Sequence, residues 1–303
     1  MKKSFLSLAL LGLAALPLPA AAQAPAEAAP AALPNVDPAM WVVKDEDTTV
    51  YLFGTFHMLD GKRDWFNDEV KTAFDGSQEL VLEAIIPEDP AALQPLVIKY
   101  AVDPQGRGLS TKLSPEAKAK VDAALTSLGV PAGALEPLEP WFVSMTLASA
   151  GAQKMGLTGE HGPETILTKA AKAAGKPVSE LEGAEKQLAM FDALPEEHQV
   201  KLLNESVEQF SKLEETFASM IAAWSDGDID ALNALMTEGI GDDKVLYDMM
   251  FTKRNAAWAD WIAARMEKPG TVFMAVGAGH LAGDDSVQAK LKAKGIESAR
   301  VGK

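Results

Sequence analysis

Short β-prone apolar runs lie toward both ends of the chain, and longer runs with apolar residues every three or four positions fill the middle. Met40-Trp-Val-Val and Thr49-Val-Tyr-Leu-Phe flank Asp45-Glu46-Asp47, which predicts a hairpin or two short neighbouring strands. Glu79 to Ala84 reads as a short apolar strand. Lys176 to Leu181 follows a helical segment and a glycine, as a strand does after a helix C-cap. Thr271 to Val276 is continuously apolar, the pattern of a strand buried on both faces. Ser298 to Val301 offers a final strand.

Between these runs the period is helical. Ser114-Pro115-Glu116 is a helix start, with Ser114 as N-cap and proline in the first turn. Pro195 to Trp224 carries one long rhythm through Val200, Leu203, Val207, Phe210 and Phe217. A second rhythm runs from Lys244 to Met266 through Leu246, Met250, Trp258, Trp261 and Ile262. Most of the stretch from Pro87 to Gly175 also reads as helix. Strands at the two ends with helices between them predict an α/β fold: a central mixed β-sheet flanked by helices, with a large helical insertion. The first and last strand groups have to meet in that sheet, so residues 40–303 are expected to form a single domain.

Ahead of that domain, Lys2 and Lys3 precede an uncharged apolar run from Phe5 to Leu18 and the small residues Ala20-Ala21-Ala22. Those are the three parts of a secretory signal, predicted over residues 1–22. The run is short for a bilayer span, which needs about 20 residues, and Pro17 and Pro19 interrupt it. Residues 23–39, rich in Ala and Pro, read as a flexible linker. The expected location is therefore periplasmic or secreted, with no transmembrane segment after cleavage.

The formal charge of −15 includes the two lysines of the signal, so the mature chain carries about −17. Such a surface repels nucleic acid and anionic lipid. There is no cysteine, which excludes thiol nucleophiles, cysteine-ligated zinc and disulfides.

Four histidines remain: His57, His161, His198 and His280. Gly54-Thr55-Phe56-His57 follows one predicted strand, and Gly277-Ala278-Gly279-His280 follows another. Open α/β sheets place their sites at strand ends, and glycine permits the sharp turn and close backbone approach needed there. Two such segments in a histidine-poor chain point to a paired functional centre, with capping or core histidines as the alternative. His161 fits a turn. His198 is expected at an exposed helix start. No phosphate loop, His-Glu-x-x-His helix or Gly-x-Ser-x-Gly elbow is present.

The segments YLFGTFHMLD, VLEA, GKPVSELEGAEKQL, KRNAAW and VGAGHLAGDDSVQAKLKAKGIESARV, in that order, resemble the TraB/GumN family. That family is similar to the Tiki metalloproteases, with their paired Gly-x-x-His motifs, and more distantly to the ChaN and erythromycin-esterase group. The resemblance implies an α/β fold with a site between two halves.

Glu83, ending its strand, is the candidate third metal ligand beside the two histidines, with a strand-end carboxylate facing solvent or making a salt bridge as the alternative. Two imidazoles and a carboxylate suit a divalent ion with open positions. Manganese or cobalt is favoured by the resemblance, and zinc or iron also suits the set. Glu182 is either a further ligand or a general base, or simply a charge at a helix N-terminus. The family often has Thr after this Glu, where Gly183 stands here. Arg254 would hold a substrate carboxylate or an oxyanion, against the alternative of a surface arginine. The leading expectation is an exported metal-dependent hydrolase, metallopeptidase-like, acting on a peptide or protein. The alternatives are a non-catalytic periplasmic binding or regulatory protein and a haem- or iron-handling protein. Oligomeric state is open.

Overall fold

The computed structural model describes residues 33–302 apart from Glu88, Ala132 and Gly241. The expected signal sequence and most of the Ala/Pro segment lie outside the described residues. The chain is fastened to the fold ahead of the expected start at Met40. The backbone N–H of Val36 donates to Asp64 O, and that of Asp37 donates to Ser225 O.

Six strands form one sheet: β1 (Met40–Lys44), β2 (Thr48–Thr55), β3 (Glu79–Leu82), β4 (Val178–Glu180), β5 (Gly270–Gly277) and β6 (Ala299–Arg300), in the order β4-β3-β5-β2-β1-β6. β1 and β2 are the predicted hairpin, paired from Met40 with Phe53 to Lys44 with Thr49. Asp45 shapes the turn, its Oδ1 accepting from the N–H groups of Asp47 and Thr48. β2, β5, β3 and β4 run parallel, and β1 is antiparallel to both neighbours. The sheet is mixed, as expected. Its first and last strand groups meet where β2 lies beside β5.

β5 is central and apolar on both faces. Val272, Met274 and Val276 pack with Trp258, Ile262, Val287 and Leu291 on one side. Phe273 and Ala275 pack with Phe74, Leu167 and Trp224 on the other. Burying each large side chain here contributes about 1.5–3 kcal/mol against exposure. Helices Lys253–Arg265 and Val287–Ala293 therefore cover one face, and helices Asp68–Gly76 and Pro163–Ala173 the other.

The helical insertion has its own core, built on Val121, Leu125, Trp141, Phe142, Leu147 and Leu203. Ser114 caps its helix as predicted, Oγ accepting from Ala117 N. Beside this core the Lys112 side chain, 1% exposed, is clamped by Asp103 at 2.6 Å and Glu139 at 2.5 Å.

Two predicted long helices are interrupted. The first is broken into Glu196–Gln209 and Leu213–Ser225 by a tight turn at Phe210–Lys212. The break sets Leu213 onto Gly151, so close that a Cβ there would collide with Leu213 Cδ2. The second contains a π-helical turn at Asp248–Thr252, between Lys244–Tyr247 and Lys253–Arg265. A π turn inserts an extra residue and rotates the helix beyond it. Arg254 and Asn255 stand in the first turn of that rotated helix. A helix Ile229–Ile240 lies between these two regions, beyond the elements the pattern predicts. No helix among the described residues is long and apolar enough to cross a membrane.

Candidate functional site

Because β2, β3, β4 and β5 are parallel, their C-terminal ends share one edge of the sheet. Thr55 pairs with Gly277 across β2 and β5, and Leu82 pairs with both Ala275 and Glu180. The next residues along each strand are the candidates: His57 after β2, Glu83 after β3, Glu182 after β4 and His280 after β5.

Glycines let the turns approach one another. A Cβ at Gly54 would lie 3.1 Å from Ala278 Cβ, so the two Gly-x-x-His turns pack directly together. Trp224 Nε1 donates to Gly54 O at 2.8 Å and pins the first turn. Gly162 starts the helix Pro163–Ala173 so close to His57 that a Cβ there would collide with His57 O. That approach brings Glu164 to the imidazole.

Each imidazole is tethered through Nδ1. His57 Nδ1 lies 2.6 Å from Glu164 Oε1, which also accepts from Thr55 Oγ1 at 2.5 Å. His280 Nδ1 lies 2.6 Å from Asn255 Oδ1. These acceptors place the proton on Nδ1 of both rings and leave Nε2 facing inward. A Cβ on Gly277 would stand 3.4 Å from His57 Nε2 and 3.1 Å from Glu83 Oε1, so both groups border the same glycine. His280 Nε2 is 3.8 Å from Glu83 Oε1.

The two histidines have opposite electrostatics. His57 is open to water, its side chain 65% exposed. The Glu164 carboxylate raises its pKa to about 9, with help from Glu83. His280 lies in the core between Phe251 and Trp258, with ring centroids 5.2 and 4.3 Å away. Burial pushes its pKa down to about 3 despite the pull of Glu83, so it is neutral at physiological pH. Burial would push the Glu83 carboxyl up, but His280, Arg254 and His57 and the Gly277 N–H hold it down to about 2. At neutral pH Arg254 and His57 carry that effect, because His280 is then uncharged.

Arg254 stands at the centre. Its Nη2 donates to Glu83 Oε2 at 2.7 Å, and its Nε to both Glu182 oxygens at 3.1 and 3.0 Å. Nη1 reaches His280 Nε2 at 2.9 Å. Burial opposes the guanidinium charge, and Glu83 and Glu182 more than offset it, so the pKa rises. Gln187 bridges Glu83 and Glu182 at 3.2 and 3.3 Å.

The five residues expected from the sequence are thus brought together, with Glu182 anchoring Arg254. Glu164, Asn255, Thr55 and Gln187 join them. Glu164 is the acidic residue of the segment around Glu160 and His161, both of which are exposed and outside the cluster. His161 lies in a 3-10 turn against Gly61, as the turn reading expects. His198 corrects the expectation of an exposed helix start. Its side chain is 22% exposed and its Nδ1 lies 2.7 Å from Asp243 Oδ2, because the turn before Lys244 folds over it. Glu180 supports the loop after Glu83 by accepting from Ile85 N.

The donor chemistry fits a divalent ion. Two imidazoles have Nδ1 held by an oxygen acceptor and Nε2 turned inward, the tethering usual for metal-ligating histidines. The 3.8 Å between His280 Nε2 and Glu83 Oε1 is close to the about 3.4 Å that separates two ligands of a tetrahedral ion. With the guanidinium among them, however, no three His, Asp or Glu side chains among the described residues are gathered tightly enough for one ion.

Comparison with known proteins agrees with the sequence resemblance. The chain is 30% identical over 198 residues to the uncharacterized protein YbaP of Escherichia coli (strain K12), covering 64% of this chain and 71% of that protein. It is 21% identical over 275 residues to an uncharacterized protein of Treponema pallidum (strain Nichols), covering 86% of this chain and 82% of that one. No solved structure matches it significantly. The model of the TraB/PrgY/gumN family matches residues 39–300, and the chain belongs to that family.

Proposed function

We infer that this chain is a metal-dependent hydrolase, peptidase-like, exported to the periplasm or beyond, with His57, His280 and Glu83 as ligands. The supporting observation is the matched tethering of the two imidazoles: Glu164 and Asn255 hold Nδ1, and both Nε2 atoms face the Glu83 edge. A divalent ion, manganese or cobalt by family resemblance and zinc or iron by donor type, would supply Lewis acidity there. Glu164 and Asn255 keep the rings oriented. Arg254, braced on Glu182, presents a guanidinium to a substrate carbonyl or carboxylate. Glu182 braces Arg254 through both oxygens, and a lone pair that Arg254 does not occupy would serve as the proton acceptor.

The test is cleavage of a peptide library by tag-free protein with Mn²⁺ or Co²⁺, alongside Glu83→Gln. New peptide termini from the wild type and none from the variant support the reading. A second reading, a binding or regulatory protein without turnover, draws on the same guanidinium. Tied to Glu83, Glu182 and His280, it closes the cluster without any ion. Stable capture of one peptide with no cleaved product would favour it.

A further inference from the structure

Arg254 meets the same acceptor atoms that an ion would need. An imidazole nitrogen has a single lone pair. At His280 Nε2 that lone pair faces Arg254 Nη1 at 2.9 Å, so guanidinium and metal cannot share it. The Glu83 carboxylate gives one oxygen to Arg254 Nη2 at 2.7 Å and the other to Gly277 N at 2.5 Å. Arg254 thus engages His280 and Glu83 at the atoms a metal would use.

We propose that Arg254 is a displaceable internal counter-cation, which gives up His280 and Glu83 when a divalent ion enters and then faces the substrate. This rests on the metal-site reading above. Like charge would drive the guanidinium out, and the structure supplies a pivot. Nε stays on Glu182, which is on a different strand end from Glu83. The guanidinium carbon also lies 4.8 Å from the centroid of the Trp258 ring, a stacking surface that travels with the same helix. Rotation about this anchor takes Nη1 off His280 and Nη2 off Glu83, and Nη2 keeps Glu182 Oε2, already at 2.8 Å, as its partner. The cluster then has two states, closed by arginine or opened by metal, and metal affinity is lowered by the stability of the closed one. Trp258 packs on both Arg254 and His280, so its fluorescence reports the exchange.

The experiment is Mn²⁺ titration of tag-free wild type, Arg254→Met and Arg254→Lys, followed by paramagnetic resonance of free Mn²⁺ and by tryptophan emission. Removing the competitor is expected to tighten Mn²⁺ binding at least about 10-fold in R254M. R254K, whose ammonium is a compact point charge rather than a bridging fork, should fall between. Mn²⁺ should change the emission of wild type, and Trp258→Phe should abolish that change. Should R254M lose its cooperative melt, R254K decides, because it keeps the buried positive charge. Wild type that binds Mn²⁺ more tightly than both variants would overturn the exchange while leaving the metal site intact. No Mn²⁺ binding by any of the three would overturn both.

Discussion

Replacing Glu164 with Gln removes the carboxylate opposite His57 while keeping an oxygen that can accept from Nδ1. In metal-free protein His57 should hold its proton to higher pH in the wild type than in the variant, because the Glu164 carboxylate raises its pKa, and the variant should titrate nearer the ordinary 6.5. The geometry sets the magnitude: a 2.6 Å charge-assisted contact on an imidazole that is 65% open to water. Screening reduces such an open pair to about 1 kcal/mol. The sign comes from linkage. A folded pKa raised above the unfolded one stabilises fully below the unfolded value, and the gain is lost as pH rises through the folded value. Wild type should therefore exceed E164Q by about 1 kcal/mol near pH 6, with that margin shrinking toward zero above about pH 9. The assay is proton NMR titration of the four histidines in chelator, together with urea unfolding at about pH 6 and about pH 10. Identical His57 titrations in the two proteins, or a margin that grows with pH, would refute the reasoning.

Asn255→Ala leaves the His280 ring free to turn and its Nδ1 unpaired. Divalent-metal affinity should fall about 10–100-fold by calorimetry, the usual cost of losing such a tether. Lys112→Met removes the ammonium from both carboxylates in the helical insertion: Asp103 keeps Arg107, and Glu139 is left buried without its cation. Urea unfolding should show a loss of about 3–5 kcal/mol, the range for breaking a buried pair, while the histidine titrations of the site stay where they were.

The sheet was legible because its strands carry strong local signals. β5 is apolar at every position from Val272 to Val276, and a parallel strand covered on both faces needs that. Once β2 and β5 were strands, Gly54-to-His57 and Gly277-to-His280 had to leave at strand ends. Their placement on the same edge depends on β2 and β5 being parallel neighbours, a long-range pairing with no local signature. Glu164 was hidden for a related reason. Its link to Thr55 and His57 spans more than a hundred residues and depends on Gly162 meeting the His57 carbonyl. The pair Gly162-Pro163 ahead of an acidic residue was the available signal for a helix start near a site. Asn255 sat in the Arg-Asn pair, but its reach to His280 depends on the π turn at Asp248–Thr252, which the continuous apolar rhythm conceals. The break at Phe210–Lys212 escaped for the converse reason. It accompanies a long-range contact, Leu213 against Gly151 on another helix, that no local pattern shows.

The paired imidazoles and Glu83 are tested most directly by metal content. Tag-free wild type, His57→Ala and His280→Ala, purified alike and loaded with a divalent ion, should differ plainly: one ion per chain in the wild type and none retained in either variant. Equal content in all three, or none in the wild type, would contradict the metal site.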